Sequence, residues 1–219
     1  MRSSLIIPTR RLRIAHTLER LRMTTTGLDV EVIVVVDVDH LVANAAMRSG
    51  ATCVFFPNYI GAIAAWNKGL ALATGDILVF GADDLVFQQG WLEIALEAHQ
   101  RELGGYGLVG FNDLHRNGNE IATHYLFDRK FCREVLGGVM AYSCYEFFCN
   151  DTESNARAKR AGRFYWCEGA RVQHAHPLLG LRTMDHLDEM HSPMFPRDVA
   201  VFERRQLEGF KDDFERVLT

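Results

Sequence analysis

Apolar positions in the first hundred residues fall into two kinds of segment. Ser4–Ile7, Val30–Val36, Ala51–Phe56 and Asp76–Phe80 hold short blocks of Val, Ile, Leu and Phe without alternation, the pattern of strands buried on both faces. Longer stretches between and after them gather their apolar residues on one side. These are Thr9 to Met23 with Leu12, Leu18 and Leu21, then Leu41–Arg48, the alanine-rich Gly61–Ala73, and Gly90–Arg101 with Trp91, Ile94, Ala95 and Ala98. Thr9 is placed to cap the first helix, while Ser49-Gly50 and Thr74-Gly75 close the second and third. Strand and helix alternate four times, which predicts an α/β fold with a mostly parallel sheet, right-handed crossovers and flanking helices.

The texture changes after Gly104-Gly105. Tyr106–Phe111 and Glu120–Phe127 read as strands joined by a turn at Arg116-Asn-Gly-Asn, and Phe131–Leu136 as a short helix. Asn150–Ala161 is a polar helix on which Asn150 and Glu153 have capping-box spacing. Arg163–Cys167 and Ala170–Gln173 read as two further strands leading to His174-Ala-His176-Pro177. Met184–Arg197 carries Pro193 and Pro196, which disfavour regular structure, so a flexible flap is expected there before a helix to the C-terminus.

Composition narrows the class. The 219 residues, 48% hydrophobic and 24% charged, suffice for one globular domain with a full core. A net charge of −4 argues against a nucleic-acid partner, which normally selects a basic face. The five cysteines, Cys53, Cys132, Cys144, Cys149 and Cys167, are odd in number and widely spaced, as reduced thiols in a cytoplasmic protein would be. The N-terminal apolar run is too short for a signal peptide, and no window is long enough for a membrane span.

Candidate chemistry sits at the ends of the predicted elements. The fourth strand runs through Gly81-Ala82 into Asp83-Asp84, paired carboxylates at the carboxyl end of a central strand, where open α/β sheets bind ligands. Their hard oxygens suit Mg²⁺ or Mn²⁺ carrying a diphosphate; a turn capping a helix from Gln88 is the plain alternative. Pro8-Thr9-Arg10 and Asp37-Val-Asp39 follow the first and second strands and should meet the same crevice, although Asp39 equally suits a helix cap. His174 and His176, two apart, would point the same way from a strand, a spacing compatible with metal ligation.

In chain order, Ile6-Ile-Pro-Thr-Arg10, Glu31–Asp37, Gly61–Asn67-Lys-Gly69 through Gly75-Asp-Ile-Leu, Gly81-Ala-Asp83-Asp84, Asn150-Asp151-Thr-Glu153 with Arg157–Gly162, and Val172-Gln-His174-Ala-His176-Pro resemble the family 2 glycosyltransferases of GT-A fold, over roughly residues 3 to 177. The resemblance implies one GT-A domain with a mixed C-terminal region and a C-terminal helix. Its nucleotide-sugar half would be 1–103, its acceptor and catalytic half 104–180, and its flap and last helix 181–219. The implied activity is inverting, metal-dependent transfer of a hexose-like sugar from a nucleotide-diphospho-sugar, a UDP-sugar as first choice, to a hydroxyl of a saccharide or other acceptor. Pro8, Thr9, Arg10, Asp37, Asp39, Asn67 and Asp83 would contact the donor. Asp83 or Asp84, with His174 or His176, would hold Mn²⁺ or Mg²⁺. Asp151 would be the general base, kept ionised by its helix N-terminus.

There are departures from the pattern. Gly81 stands where the family often has the first aspartate of its Asp-x-Asp, Asp37-Val-Asp39-His40 replaces Asp-Asp-Gly-Ser, and no QxxRW-type motif follows Pro177. A sugar nucleotidyltransferase would open with a glycine-rich loop that Pro8-Thr-Arg-Arg-Leu-Arg lacks. A non-catalytic binding domain and a metal-dependent hydrolase built on the histidines are the further alternatives.

Overall fold

In the computed structural model, which describes residues 1–115 and 121–211, the four predicted N-terminal strands form consecutively: β1 (Ser3–Thr9), β2 (Val30–Asp37), β3 (Thr52–Phe56) and β4 (Ile77–Phe80). They are joined through helices α1 (Ile14–Thr24), α2 (His40–Arg48) and α3 (Gly61–Leu72), and all four pair in parallel. After the carboxylates comes a short strand, β5 (Leu85–Phe87), then α4 (Trp91–Leu103), β6 (Leu108–Asn112), β7 (Tyr125–Asp128), α5 (Arg129–Glu134), α6 (Asn150–Arg160) and β8 (Phe164–His174). Helices α7 (His186–His191) and α8 (Phe195–Leu207) close the described chain.

The sheet order is β3-β2-β1-β4-β7-β6-β8-β5. β7 runs antiparallel to both neighbours, so β6 and β8 regain the direction of β1 and β4. The mostly parallel, GT-A-like sheet with a mixed C-terminal part is therefore the one expected. Side chains alternate between its faces: Leu5, Ile7, Val34, Val36 and Val79 pack under α1, α2 and α4, and Ile6, Ile33, Val35, Leu78 and Phe80 under α3, α5 and α6. A Cβ at Gly69 would stand 2.3 Å from Cγ2 of buried Ile6, so glycine is what lets α3 lie directly on the sheet. All five cysteines are free.

Several local expectations are corrected. Thr9 ends β1 rather than capping α1, whose first turn has no side-chain cap. The chain after Asp84 forms β5, and α4 begins only at Trp91 behind Gly90, so the carboxylates cap no helix at Gln88. The two expected strands after Arg163 are one long β8. Its first half pairs with β6, a register shift follows at Phe111/Asn112, and its last residues pair with β5. The Arg116–Asn119 turn lies outside the described residues, as does the chain beyond 211.

The capping box at Asn150 does not form. Cys149, at a left-handed φ of 64°, precedes α6, Asn150 Oδ1 accepts the Tyr142 amide, and the Glu153 side chain is drawn into the interior. There it accepts hydrogen bonds from Arg157 Nε at 2.9 Å, Arg205 Nε and Nη2 at 2.8 Å, and the Tyr145 hydroxyl at 2.7 Å. The expected flap at Met184–Arg197 is helical, because Pro193 and Pro196 sit in first turns, where the missing N–H costs nothing. The sequence signal for α7 was Asp185-x-x-Asp188, which forms a true capping box.

Candidate active site

β1, β2, β4, β6 and β8 share a direction, so their carboxyl ends, together with the start of antiparallel β7, lie along one edge. The chain winds outward from β1 to β3 and returns to place β4 on the other side of β1, which makes the β1/β4 boundary the switch point where such sheets bind ligands. A cavity of about 720 Å³ opens there. Pro8 and Thr9 from β1 with Arg10 just after it, Asp37 from β2, Asp83 and Asp84 beyond β4, Thr123 and His124 before β7, His174 at the end of β8, and Asp151 from α6 all line it. His176 lines it too, but lies past the strand and caps a 3-10 turn rather than sharing β8 with His174 as expected. Trp66, Phe80 and Tyr125 stack beneath (centroids 4.2 and 5.0 Å apart).

At the switch point the Thr9 hydroxyl donates to Asp83, and Arg11 Nη1 lies 3.6 Å from the other Asp83 oxygen. Asp84 faces His174 Nε2 at 3.4 Å and Arg182 Nη2 at 3.6 Å. Burial, with the adjacent Asp84 charge, raises the pKa of Asp83 despite Arg11 and Thr9. Burial would raise Asp84 as well, but its bond to His174 and the charges of His174, His124 and Arg182 prevail, holding it well below the usual carboxylate range. His176 receives the Leu178 amide on Nδ1, and burial followed by the His174 charge lowers its pKa. Among the described residues no three His, Cys, Asp or Glu side chains form a ready-made metal cluster. Asp83, Asp84, His174 and His176 therefore stand as neighbours, with Asp84 and His174 the adjacent pair.

Gly81 is explained by space. A Cβ there would approach the Ile6 carbonyl oxygen and Ile7 Cγ1 to 3.0 Å, and the Gly81 carbonyl accepts the Trp66 indole N–H at 3.1 Å. An aspartate at this position would need its β1 neighbours to give by a few tenths of an ångström.

On the β2 side, Asp37 Oδ2 accepts the amides of Ile60 and Gly61 at 2.8 and 3.1 Å, at the start of α3. Asp37 Oδ1 is buried without a hydrogen-bond partner, as is Nη1 of Arg10, whose Nε lies 3.3 Å from that oxygen while its guanidinium covers Tyr59. Two expected donor residues are not among those lining the cavity. Asp39 caps α2, accepting from Leu41 and Val42 amides. Asn67 fastens α3 to the loop before α6, donating to the Ala141 carbonyl at 2.7 Å and accepting the Met140 and Ala141 amides.

Residues that sequence reasoning passed over complete the rim. Arg11 reaches Asp185 at 2.7 Å and Asp188 at 3.0 Å, and Arg182 reaches Asp188 at 2.6 Å, so two arginines tie α7 to the carboxylate pair. Phe147, Phe148 and Phe195 form an aromatic wall beside Asp151.

A doubly wound sheet carrying paired carboxylates at its switch point is the arrangement of the GT-A class. The chain belongs to glycosyl transferase family 2, whose model matches residues 4–168. No curated protein matches it by sequence. Solved structures similar in fold include a mannosyltransferase from Pyrobaculum calidifontis in complex with GDP-Man and Mn²⁺ (TM-score 0.63, 17% identity, covering 80% of this chain and 56% of that one). The chain thus spans little more than half the length of that protein. Mannosyl-3-phosphoglycerate synthase from Rubrobacter xylanophilus aligns at TM-score 0.64 and 13% identity over 100% of this chain and 78% of its own. Glucosyl-3-phosphoglycerate synthase from Mycobacterium tuberculosis, in complex with Mn²⁺, UDP-glucose and phosphoglyceric acid, aligns at 0.65 and 18% over 97% and 81%. At these identities the likeness is one of fold. Among the described residues no helix is long and apolar enough to cross a membrane.

Proposed function

We propose that the chain is an inverting glycosyltransferase that moves a hexose-like sugar from a UDP-sugar to an acceptor hydroxyl with Mn²⁺ or Mg²⁺ bound. The observation that carries the reading is the gathering of Asp83, Asp84, His174, Asp37 and Asp151 around one cavity at the switch point. Carboxylate oxygens are the characteristic donors for these hard ions, and one or two of them suffice where diphosphate oxygens supply the rest, with an imidazole as an added donor that suits Mn²⁺ better than Mg²⁺. Asp84 with His174 or His176 would hold the ion, and Asp83 would complete the set or meet the donor. When bound, the ion offsets the charge that develops on the departing diphosphate.

Asp37 is the proposed contact to the base. Oδ2 is occupied by two amides, and Oδ1, buried without a hydrogen-bond partner beneath Arg10, would accept a ring N–H such as that of uracil once the Arg10 guanidinium moves aside. Pro8 and Thr9 border the same end of the cavity. Asp151, in the first turn of α6, is the proposed base. The acceptor oxygen bonds to the anomeric carbon from one face while the carbon–phosphate oxygen bond breaks on the other. The hydroxyl proton passes to Asp151, and the nucleoside diphosphate leaves.

A thermal-shift panel of UDP, GDP, CDP and dTDP with Mn²⁺ tests this directly. UDP should raise the Tm most, through preferential binding to the folded state, and Asp37→Asn should erase the preference. No shift with any nucleotide would remove the donor site from this cavity.

A further inference from the structure

The segment that delivers Asp151 to the cavity is built as an aromatic wall. Phe147 and Phe148 meet edge to face with centroids 5.0 Å apart, Phe148 meets Phe195 at 5.2 Å, and His191 stacks on Phe147 at 3.8 Å. Phe195 is 53% exposed although its neighbours fix it. The backbone behind the wall is held by Asp198, which has no exposed surface and accepts three consecutive amides, from Glu146, Phe147 and Phe148, at 2.9, 2.9 and 2.8 Å. A carboxylate bonded to three successive N–H groups fixes a loop without help from any ligand. The wall therefore stands preorganised, and a ring laid on it incurs little ordering cost.

Charge selects what that ring carries. Among the described residues lining the cavity are six aspartates, three arginines and no lysine. Each arginine is already paired: Arg10 with Asp37 at 3.3 Å, Arg11 with Asp185 at 2.7 Å, and Arg182 with Asp188 at 2.6 Å. A divalent ion and a donor diphosphate largely cancel, which leaves the wall charge negative. An anionic acceptor would meet like charge at short range with no unpaired arginine or lysine to receive it, the lining histidines (His124, His174, His176 and His191) being the remaining ionisable groups. Hydroxyl groups, in contrast, can donate to Asp113 and Asp151, and the apolar face of a sugar ring can lie on phenylalanine.

Resting on the glycosyltransferase reading above, we propose that the acceptor is an uncharged hydroxylated ring, a sugar or a neutral glycoside, seated on Phe147, Phe148 and Phe195. Asp198 acts as the positioning residue of that platform. Phosphorylated and carboxylated acceptors are excluded.

The test is calorimetry on the full chain, with and without saturating UDP and Mn²⁺. The titrants are the 4-nitrophenyl glycosides of glucose, galactose and mannose, and 3-phosphoglycerate. At least one glycoside should saturate, with 3-phosphoglycerate at least about tenfold weaker. Phe195→Ala, at an exposed position, and Phe148→Ala should each weaken the glycoside roughly 3- to 10-fold, the scale of one aromatic contact, with UDP affinity unchanged. Asp198→Asn should weaken the glycoside and leave UDP affinity in place, and Asp198→Glu should recover part of the loss. Tighter binding of 3-phosphoglycerate, no binding by any glycoside, or glycoside affinity unmoved in both phenylalanine variants would overturn the proposal. UDP failing to bind while glycosides still saturate the free chain would instead remove the donor reading and keep this one.

Discussion

Glu153 has no exposed surface and accepts hydrogen bonds from two arginines and a tyrosine, which makes it the point where α6, α8 and the aromatic loop are locked together. Glu153→Ala would leave Arg157 and Arg205, themselves 7% and 8% exposed, without their shared counter-charge. Removing one partner of a buried ion pair costs about 3–5 kcal/mol, and the stranded Tyr145 hydroxyl adds about 1–3 kcal/mol. Against a total stability of about 5–15 kcal/mol, the variant should keep at best part of its cooperative unfolding transition. Urea denaturation followed by circular dichroism reads this as a drop in midpoint, with the slope unchanged if both chains unfold in two states.

The same group predicts a pH dependence. Burial would raise the Glu153 pKa, but the Arg205 and Tyr145 hydrogen bonds and the Arg157 charge outweigh it and lower it. A depressed folded-state pKa means that the stabilisation is complete above the ordinary glutamate value and is lost as pH falls through the folded one. The wild-type midpoint should therefore fall on acidification, and Glu153→Gln should fall less. A loss below about 1 kcal/mol in Glu153→Ala, on the scale of an exposed ion pair, would refute the lock.

Asp151→Asn should bind UDP and melt almost as wild type while transfer slows about 10²- to 10⁴-fold, the usual cost of losing a general base; near-normal turnover would move the base elsewhere. Asp39→Ala should lose about 1 kcal/mol of helix capping and leave UDP affinity unchanged, whereas a tenfold weaker UDP would return Asp39 to the donor site. Gly69→Ala gains about 1 kcal/mol of helix propensity but forces a methyl against Ile6, where overpacking costs about 1–3 kcal/mol; chemical denaturation should show a net loss, and a stabilised variant would contradict the close approach.

The parts of the fold legible in the sequence were those whose burial is two-sided. Val30–Val36 and Ile77–Phe80 announce themselves because they are short apolar runs, the first rich in β-branched residues, bounded by turn residues, as strands buried on both faces are. β5 stayed hidden because three residues after a turn carry no period, and β8 was split in two because Glu168 and Gly169 fall at its register shift. The cavity-lining residues at strand ends, Asp37, Asp83, Asp84 and His174, could be located from those strands alone. Asp39 and Asn67 could not be separated from them, since a cap or a loop staple looks the same in a sequence as a ligand contact until the partner amides are placed. Arg11, Arg182 and the Phe147–Phe148 wall depend on α7 and α8 folding back over the sheet edge, a contact that no local pattern encodes.

The most direct measurement is calorimetric titration of UDP into the wild-type chain and Asp84→Asn, each in Mn²⁺ and in EDTA. The account predicts wild-type binding that is at least about tenfold tighter with Mn²⁺, and no Mn²⁺ enhancement in the variant. Equal wild-type affinity in Mn²⁺ and EDTA would contradict it.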